Sequence, residues 1–353
     1  MKIFREGTKR RIGRILIAGT TFLCLATVKV RAQQESTVQL QVNAEDRLAA
    51  TIYTSNIRYH LHLAKTAVAR TAAQDFPNAN FTQRAKARLT LATTVPVPPQ
   101  PAFYPQDLFK VVSTGATMLT AKSHPIFVDC ASGGSCWGNP STFLTNLGNS
   151  TFIHLLDQYI GSTANSRYTL GTAVTVTQPI FAGTSGVPTL SENDILTIVH
   201  AAAKTNGAGL GHIYHVFLPN KVDTCLDEGP CYSPDNFSTF VFCAYHFTVH
   251  FSDIGNVYYT VEPFQNVLGC QIPGSPTPPN GQLADSTNNS LSHELFETVT
   301  DPDINTGFRA TNTSFGEIGD VCVGAVAVFP LNGHNYEIQL EYSDTYHACA
   351  STP

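Results

Sequence analysis

Residues 292–303, Ser-His-Glu-Leu-Phe-Glu-Thr-Val-Thr-Asp-Pro-Asp, constrain the fold more than any other stretch of this chain. Read as a helix, the segment carries His293 and Glu297 one turn apart on one face, with Glu294 to one side. Asp301-Pro302 fixes where that helix ends, because the residue before a proline avoids helical geometry. His293 therefore sits mid-helix and is rigidly held. The layout is that of a zinc-binding helix: two metal ligands at i and i+4, and a carboxylate between them that can take a proton from water. In the common form of this pattern the second ligand is histidine. Here it is Glu297.

A catalytic zinc takes three protein ligands and leaves one position open. The third should come from a separate element, and Phe315-Gly-Glu-Ile-Gly-Asp-Val-Cys322 offers it. Glu317 lies 24 residues after His293. That spacing resembles the gluzincin proteases, and the resemblance implies Glu317 as third ligand and Asp320 as the outer group accepting the ring N–H of His293. Glu294 is the expected general base. His246 is a further catalytic candidate or an alternative third or fourth ligand, with His250 on the same side of its strand. Two carboxylates and one imidazole neutralise Zn²⁺ and acidify its water less than neutral ligands would. Such a set also admits Mn²⁺ or Ca²⁺ more readily.

The N-terminus reads as an export signal. Lys9, Arg10, Arg11 and Arg14 precede an apolar run, Ile15 to Val28, that is too short for a good membrane span. Val30-Arg31-Ala32 supplies small residues at the −3 and −1 positions of a cleavage site. The segment 1–32 holds eight Lys/Arg and one Glu, so its removal takes the formal net charge from −5 to about −12. Such a surface repels nucleic acid and anionic membranes, which excludes both as main partners.

Eight cysteines remain: Cys130, Cys136, Cys225, Cys231, Cys243, Cys270, Cys322 and Cys349. An even number in an exported chain points to disulfides. Their order favours the local pairs 130–136, 225–231, 243–270 and 322–349, among roughly 105 connectivities that eight cysteines allow. No two show the spacing of a zinc knuckle. With the cysteines paired and no Gly-x-Ser-x-Gly elbow, a serine or cysteine hydrolase is disfavoured.

Residues 33–105 differ from the rest. They hold no cysteine, show a helical pattern around Leu48 to Ala73, and end in a proline-rich stretch from Val95 to Pro105. They read as a spacer, a docked helix or a pro-segment. From 106 to 353 the chain reads as one α+β domain. Helical spacing marks Phe143 to Leu147 and Phe152 to Ile160. Ser191 and Asp194 form a capping box for a helix that stops near Asn206-Gly207. Strands follow at Ile213 to Leu218, Val241 to Phe251 and Val257 to Val261. In the second of these, Phe247, Val249 and Phe251 share one face and His246, Thr248 and His250 the other. Asp285, Ser286 or Thr287 is expected to cap the His293 helix. Asn332-Gly333 is a strong hairpin signal between Val323–Phe329 and Tyr336–Tyr342. Alternation there predicts Tyr336, Ile338, Leu340 and Tyr342 inward, and Glu337, Gln339 and Glu341 toward water.

Several segments together resemble the bacterial secreted relatives of the plant phosphate-induced (EXORDIUM-like) protein family. They are Pro125-Ile-Phe-Val128, Phe143-Leu144 through Gln158-Tyr159, Val216-Phe-Leu-Pro219, Phe242-Cys-Ala-Tyr-His246, Ser292 to Pro302, Gly316 to Cys322, and Asn332-Gly333 with Cys349. The resemblance covers about residues 120–350. It implies a secreted or wall-associated domain, zincin-like in its active helix. The plant members are linked to growth and lack the His-Glu pair, so the family fold does not require a metal.

The chain is thus expected to be an exported, disulfide-stabilised zincin-like α+β domain with a mixed or antiparallel sheet, an active-site helix and a C-terminal β-hairpin. Its expected activity is metal-dependent hydrolysis, most simply of peptides. Zn²⁺, or another divalent ion, is expected on His293, Glu297 and Glu317, with Glu294 and His246 catalytic and a peptide or cell-wall component as substrate. The alternative is a non-catalytic extracellular binding module with a structural or vestigial ion.

Overall fold

The structure is a computed structural model. It describes residues 38–40, 60–64, 107–177, 181–182, 186–226, 230–236, 238–272, 277–310 and 316–353. The chain divides into two units, Met1–Gln34 and Glu35–Pro353. The first, with the expected export signal, lies outside the described residues, as do most of 33–105 and the proline-rich stretch.

The architecture is α+β. Its main sheet is built from β1 (Val38–Leu40), β2 (His60–Leu63), β3 (Ala121–Val128), β4 (Tyr168–Leu170), β5 (Val174–Val176), β6 (His212–Phe217), β7 (Phe242–Phe251) and β8 (Gly255–Glu262). Across the sheet the order is β1-β5-β3-β6-β8-β7-β2, with β4 also paired to β3. The β1–β5, β5–β3, β3–β4, β3–β6 and β6–β8 pairs are parallel, while β8–β7 and β7–β2 are antiparallel. Both edge strands on this path come from upstream of residue 106. The helical pattern expected around Leu48 to Ala73 fails at His60–Leu63. Those four residues are a strand because the free edge of β7 supplies hydrogen-bond partners that local propensity cannot anticipate.

Helices cover both faces. On one side α2 (Glu192–Asn206) starts with the capping box expected at Ser191 and Asp194. Ile195, Ile198 and Val199 of α2 pack with Tyr214, Val216, Phe247, Val249, Phe251 and Leu61 in one apolar core. On the other side α1 (Pro140–Gly148) and α3 (Gln282–Thr300) form a second core. There Phe143, Phe152, Leu291, Phe296 and Val299 meet Ile213, Phe217 and Tyr258. The two cores follow the period-2 alternation of the strands, as expected for a sheet buried on both sides.

The helix α3 starts a turn earlier than expected, with Gly281 in the capping position. Asp285 lies inside the first turn, where its carboxylate accepts from the backbone N–H and side-chain amide of Asn280, at 2.9 and 2.8 Å. The helix ends at Asp301 as expected. That carboxylate accepts the N–H groups of Asn305, Thr306 and Gly307 and so shapes the loop that follows.

The C-terminal hairpin joins β9 (Val326–Leu331) to β10 (His334–Gln339) across Asn332-Gly333, both with positive φ. The strands β11 (Glu341–Ser343) and β12 (Ala348–Ala350) follow. The expectation that Glu337, Gln339 and Glu341 face water is overturned: all three are buried, Glu341 completely. The polar face of this segment lies against α3, and its acidic residues point into the protein. The four expected cysteine pairs are all present as disulfides. Such bonds form and persist in oxidising surroundings. Among the described residues, no helix is long and apolar enough to cross a membrane.

A candidate metal centre between the sheet edge and the HExxE helix

One register row across the sheet sets up the site. His60 of β2 stands opposite His246 of β7, which stands opposite Thr260 of β8, which stands opposite His215 of β6. Opposed residues on one face lie close enough for their side chains to interact. The rings of His60 and His246 stack with centroids 5.2 Å apart. This row faces α3, which presents His293, Glu294 and Glu297 to it. All three, with His246, are completely buried.

The loop 316–322 closes the third side. Ile318 is anchored in the second core, and the Cys322–Cys349 disulfide ties the loop to β12. The Asp320 backbone N–H donates to Glu297 Oε1 at 3.0 Å, and Gln339 Nε2 donates to the Gly319 carbonyl at 2.8 Å. A Cβ on Gly319 would come 2.5 Å from His293 Nδ1 and 2.8 Å from Glu297 Oε1, so only glycine lets the loop approach this closely.

Glu297 is the hub. Its Oε1 lies 3.3 Å from His293 Nε2, and its Oε2 lies 3.5 Å from His60 Nε2 and 3.6 Å from His246 Nδ1. Three donor triads meet at it: His293–Glu297–Asp320, His60–Glu297–Glu317 and His246–Glu294–Glu297. Within each triad one ligand atom per residue lies within 4.8 Å of the others. Ligand atoms on one tetrahedral ion with bonds of about 2.0–2.2 Å stand roughly 3.3–3.5 Å apart, so the donors fit a divalent cation. The contacts of 3.0 Å for His60 Nδ1–Glu317 Oε1 and 3.8 Å for His293 Nε2–Asp320 Oδ1 bracket that value.

Polar satisfaction points the same way. His293 Nε2, His246 Nε2, Glu294 Oε1, Glu297 Oε2 and both Glu317 oxygens are buried without a hydrogen bond. Such a concentration of unsatisfied groups is costly unless something binds them.

The electrostatics follow from burial and mutual contact. Burial disfavours a charged His293 and a charged His246, yet the surrounding carboxylates raise both to about 10, Glu297 acting first on His293 and Glu317 first on His246. His60 is raised well above its usual value against the same desolvation, chiefly by Asp320, then Glu317 and Glu297. Burial pushes Glu317 up to about 8 and also raises Glu294. Glu297 goes the other way: the facing imidazoles of His293 and His60 outweigh its desolvation and hold it well below the carboxylate range.

Every site residue expected from the sequence lies in this cluster: His293, Glu294, Glu297, Glu317, Asp320 and His246. Their arrangement differs in three respects. Glu317, expected as the third ligand beside His293 and Glu297, groups instead with His60 and Glu297, and the third member of the His293–Glu297 triad is Asp320. Asp320 does not take the far ring nitrogen of His293. It presents Oδ1 toward Nε2, while Nδ1 faces Gln339 at 3.1 Å. His250 is not part of the site. It is exposed near the end of β7, with Nδ1 2.7 Å from Asn256.

Sequence reasoning missed His60, which contacts Glu297, Glu317 and Asp320, the last at 2.6 Å. It also missed His62, whose ring meets that of His293 edge-on at 4.2 Å. The signal was His60-Leu61-His62: on a strand, residues two apart share a face. Glu341 and Glu262, both raised well above the carboxylate range by burial, complete the acidic surroundings. Comparison with family models, curated proteins and solved structures gives no match.

Proposed function

We propose that this chain is an exported, zincin-like, metal-dependent hydrolase acting on peptides, with Zn²⁺ as the resident ion. The observation that carries the reading is the buried set of unsatisfied donors around Glu297, with a further carboxylate, Glu294, beside it. His293, Glu297 and Asp320 would hold an ion, and Glu317 adds a donor on the His60 side. When bound, such an ion supplies Lewis acidity to a carbonyl and makes water more acidic. Glu294 is the group that accepts the proton. Burial raises its carboxyl above the ordinary value, which makes the carboxylate a stronger base. His246 Nδ1 lies 3.2 Å from Glu294 Oε2 and steadies that carboxylate or passes its proton on. Export is supported by the basic and apolar N-terminal segment and the four disulfides.

One observation favours a second reading, a non-catalytic extracellular module with a structural ion. The cluster is enclosed, and its most exposed ligand candidate is His60, with 15% of its side chain accessible. The test is the full chain, purified without chelators, analysed for metal and assayed on a broad fluorogenic peptide set beside Glu294→Gln. The hydrolase reading expects bound metal, cleavage by the parent chain, and loss of cleavage in Glu294→Gln at unchanged melting temperature and metal content. Metal with no cleavage supports the structural-ion reading, and cleavage that survives Glu294→Gln removes Glu294 as the proton acceptor. Absence of metal removes both.

A further inference from the structure

We propose that the cluster holds two divalent ions bridged by Glu297, the second recruited by His60 from the upstream edge strand. The inference rests on the reading of this cluster as a metal site, and extends it from one ion to a pair.

The two oxygens of Glu297 address different donor sets. Oε1 faces His293 Nε2 at 3.3 Å, and Asp320 Oδ1 is 3.8 Å from that same nitrogen. Oε2 faces away, 3.5 Å from His60 Nε2, and Glu317 Oε1 is 3.0 Å from the other His60 nitrogen. His60–Glu297–Glu317 and His293–Glu297–Asp320 have Glu297 in common, and they also touch where Asp320 Oδ2 lies 2.6 Å from His60 Nε2. A carboxylate whose oxygens point into two triads is the bridging arrangement of two-metal sites, where the ions stand about 3.5–4 Å apart.

Charge supports the pair. The three triads contain four carboxylates, Glu294, Glu297, Glu317 and Asp320. Their ion pairs among the described residues are all with histidine, none with lysine or arginine. Two ions balance all four carboxylates, and burying unpaired charge is what a protein interior resists. Mixed imidazole and carboxylate donors suit Zn²⁺ and Mn²⁺. Glu294 and His246 then remain as the proton-handling pair.

The experiment strips the full chain with chelator and titrates it with Zn²⁺ and with Mn²⁺, counting bound ions by elemental analysis after desalting. The expected result is two ions per chain, with the Mn²⁺ form giving the electron paramagnetic resonance spectrum of an interacting pair. His60→Ala should bind one ion with the spectrum of isolated Mn²⁺, and Glu297→Ala none. Glu317→Gln, which leaves β2 intact, should lose the same ion as His60→Ala. One ion per chain in a parent protein that still cleaves peptides overturns the pair and leaves the hydrolase reading standing. No ion removes both. Two ions retained in both His60→Ala and Glu317→Gln also overturn the proposal.

Discussion

Gly319 stands directly against His293: a methyl group in place of its hydrogen would lie 2.5 Å from Nδ1 of the imidazole. The backbone of Gly319 is ordinary right-handed helical, with φ −77° and ψ −42°, so alanine meets no conformational objection there. The whole effect of Gly319→Ala is therefore steric. We expect a loss of about 1–3 kcal/mol from overpacking. We also expect roughly 10–100-fold weaker metal binding, because the imidazole and Glu297 are pushed from their positions. Thermal melts and a chelator competition read the two effects. Unchanged affinity would show that the loop does not position these donors.

The Cys322–Cys349 disulfide closes a separation of 27 residues and anchors the turn that carries Asp320. The Cys225–Cys231 disulfide closes 6 residues in a small separate sheet that holds none of the donors. Loop-closure entropy gives about 3.5 kcal/mol for the first and about 2 kcal/mol for the second. Replacing either pair by serine should lower stability in that order. Only the Cys322/Cys349 replacement should also weaken metal binding. Equal loss of affinity in both would mean that affinity tracks global stability and not the placement of Asp320.

The legible parts of this chain were those written locally. The α3 segment shows a one-turn His–Glu spacing and a proline stop, α2 shows its capping box, the hairpin shows Asn-Gly, and the cysteines lie in near-neighbour order. Each signal spans fewer than about thirty residues and needs no knowledge of the sheet. What was not legible depends on strand placement. His60 meets Asp320 across 260 positions, and nothing near His60 states that a four-residue strand will add to the edge of β7. Gln339 and Glu341 were misread for a related reason. Their alternation resembles a half-exposed strand, but α3 covers the polar face as well, so both side chains are buried.

Acid should destabilise the chain through the sheet histidines. Burial holds His215 at about 3, and it holds His124 at about 4, so both stay neutral in the native state. In the unfolded chain each protonates near pH 6.5. Below that value the unfolded state binds more protons than the native state, so stability present above pH 6.5 is lost progressively as pH falls toward 4 and then 3. Between pH 6.5 and pH 3.5 these two histidines contribute a steady loss, set against the gain that Glu317 supplies as pH falls from about 8 to about 4.5. A His124→Asn, His215→Gln variant should show a flatter decline in melting temperature. A parallel decline would place the acid sensitivity elsewhere.

Alkali should act oppositely on the metal-free chain. His246 and His293 are raised to about 10 by the carboxylates around them, against their burial. Between pH 6.5 and 10 the native metal-free state then holds more protons than the unfolded one. The stability these protons supply is full below pH 6.5 and is lost as pH rises through about 10. Glu317, raised by burial to about 8, adds to the loss over a lower window, from about 4.5 to 8. Bound metal takes the place of those protons, and ligands must be deprotonated to bind it. The difference in melting temperature between the Zn²⁺-loaded chain and the chelated chain should therefore widen from pH 6 to pH 9. Isothermal titration in buffers of different ionisation enthalpy should show proton release on binding, decreasing as pH rises. A gap that stays constant, with no protons released, would mean that these histidines are already neutral in the metal-free protein and that protons do not stand in for the ion.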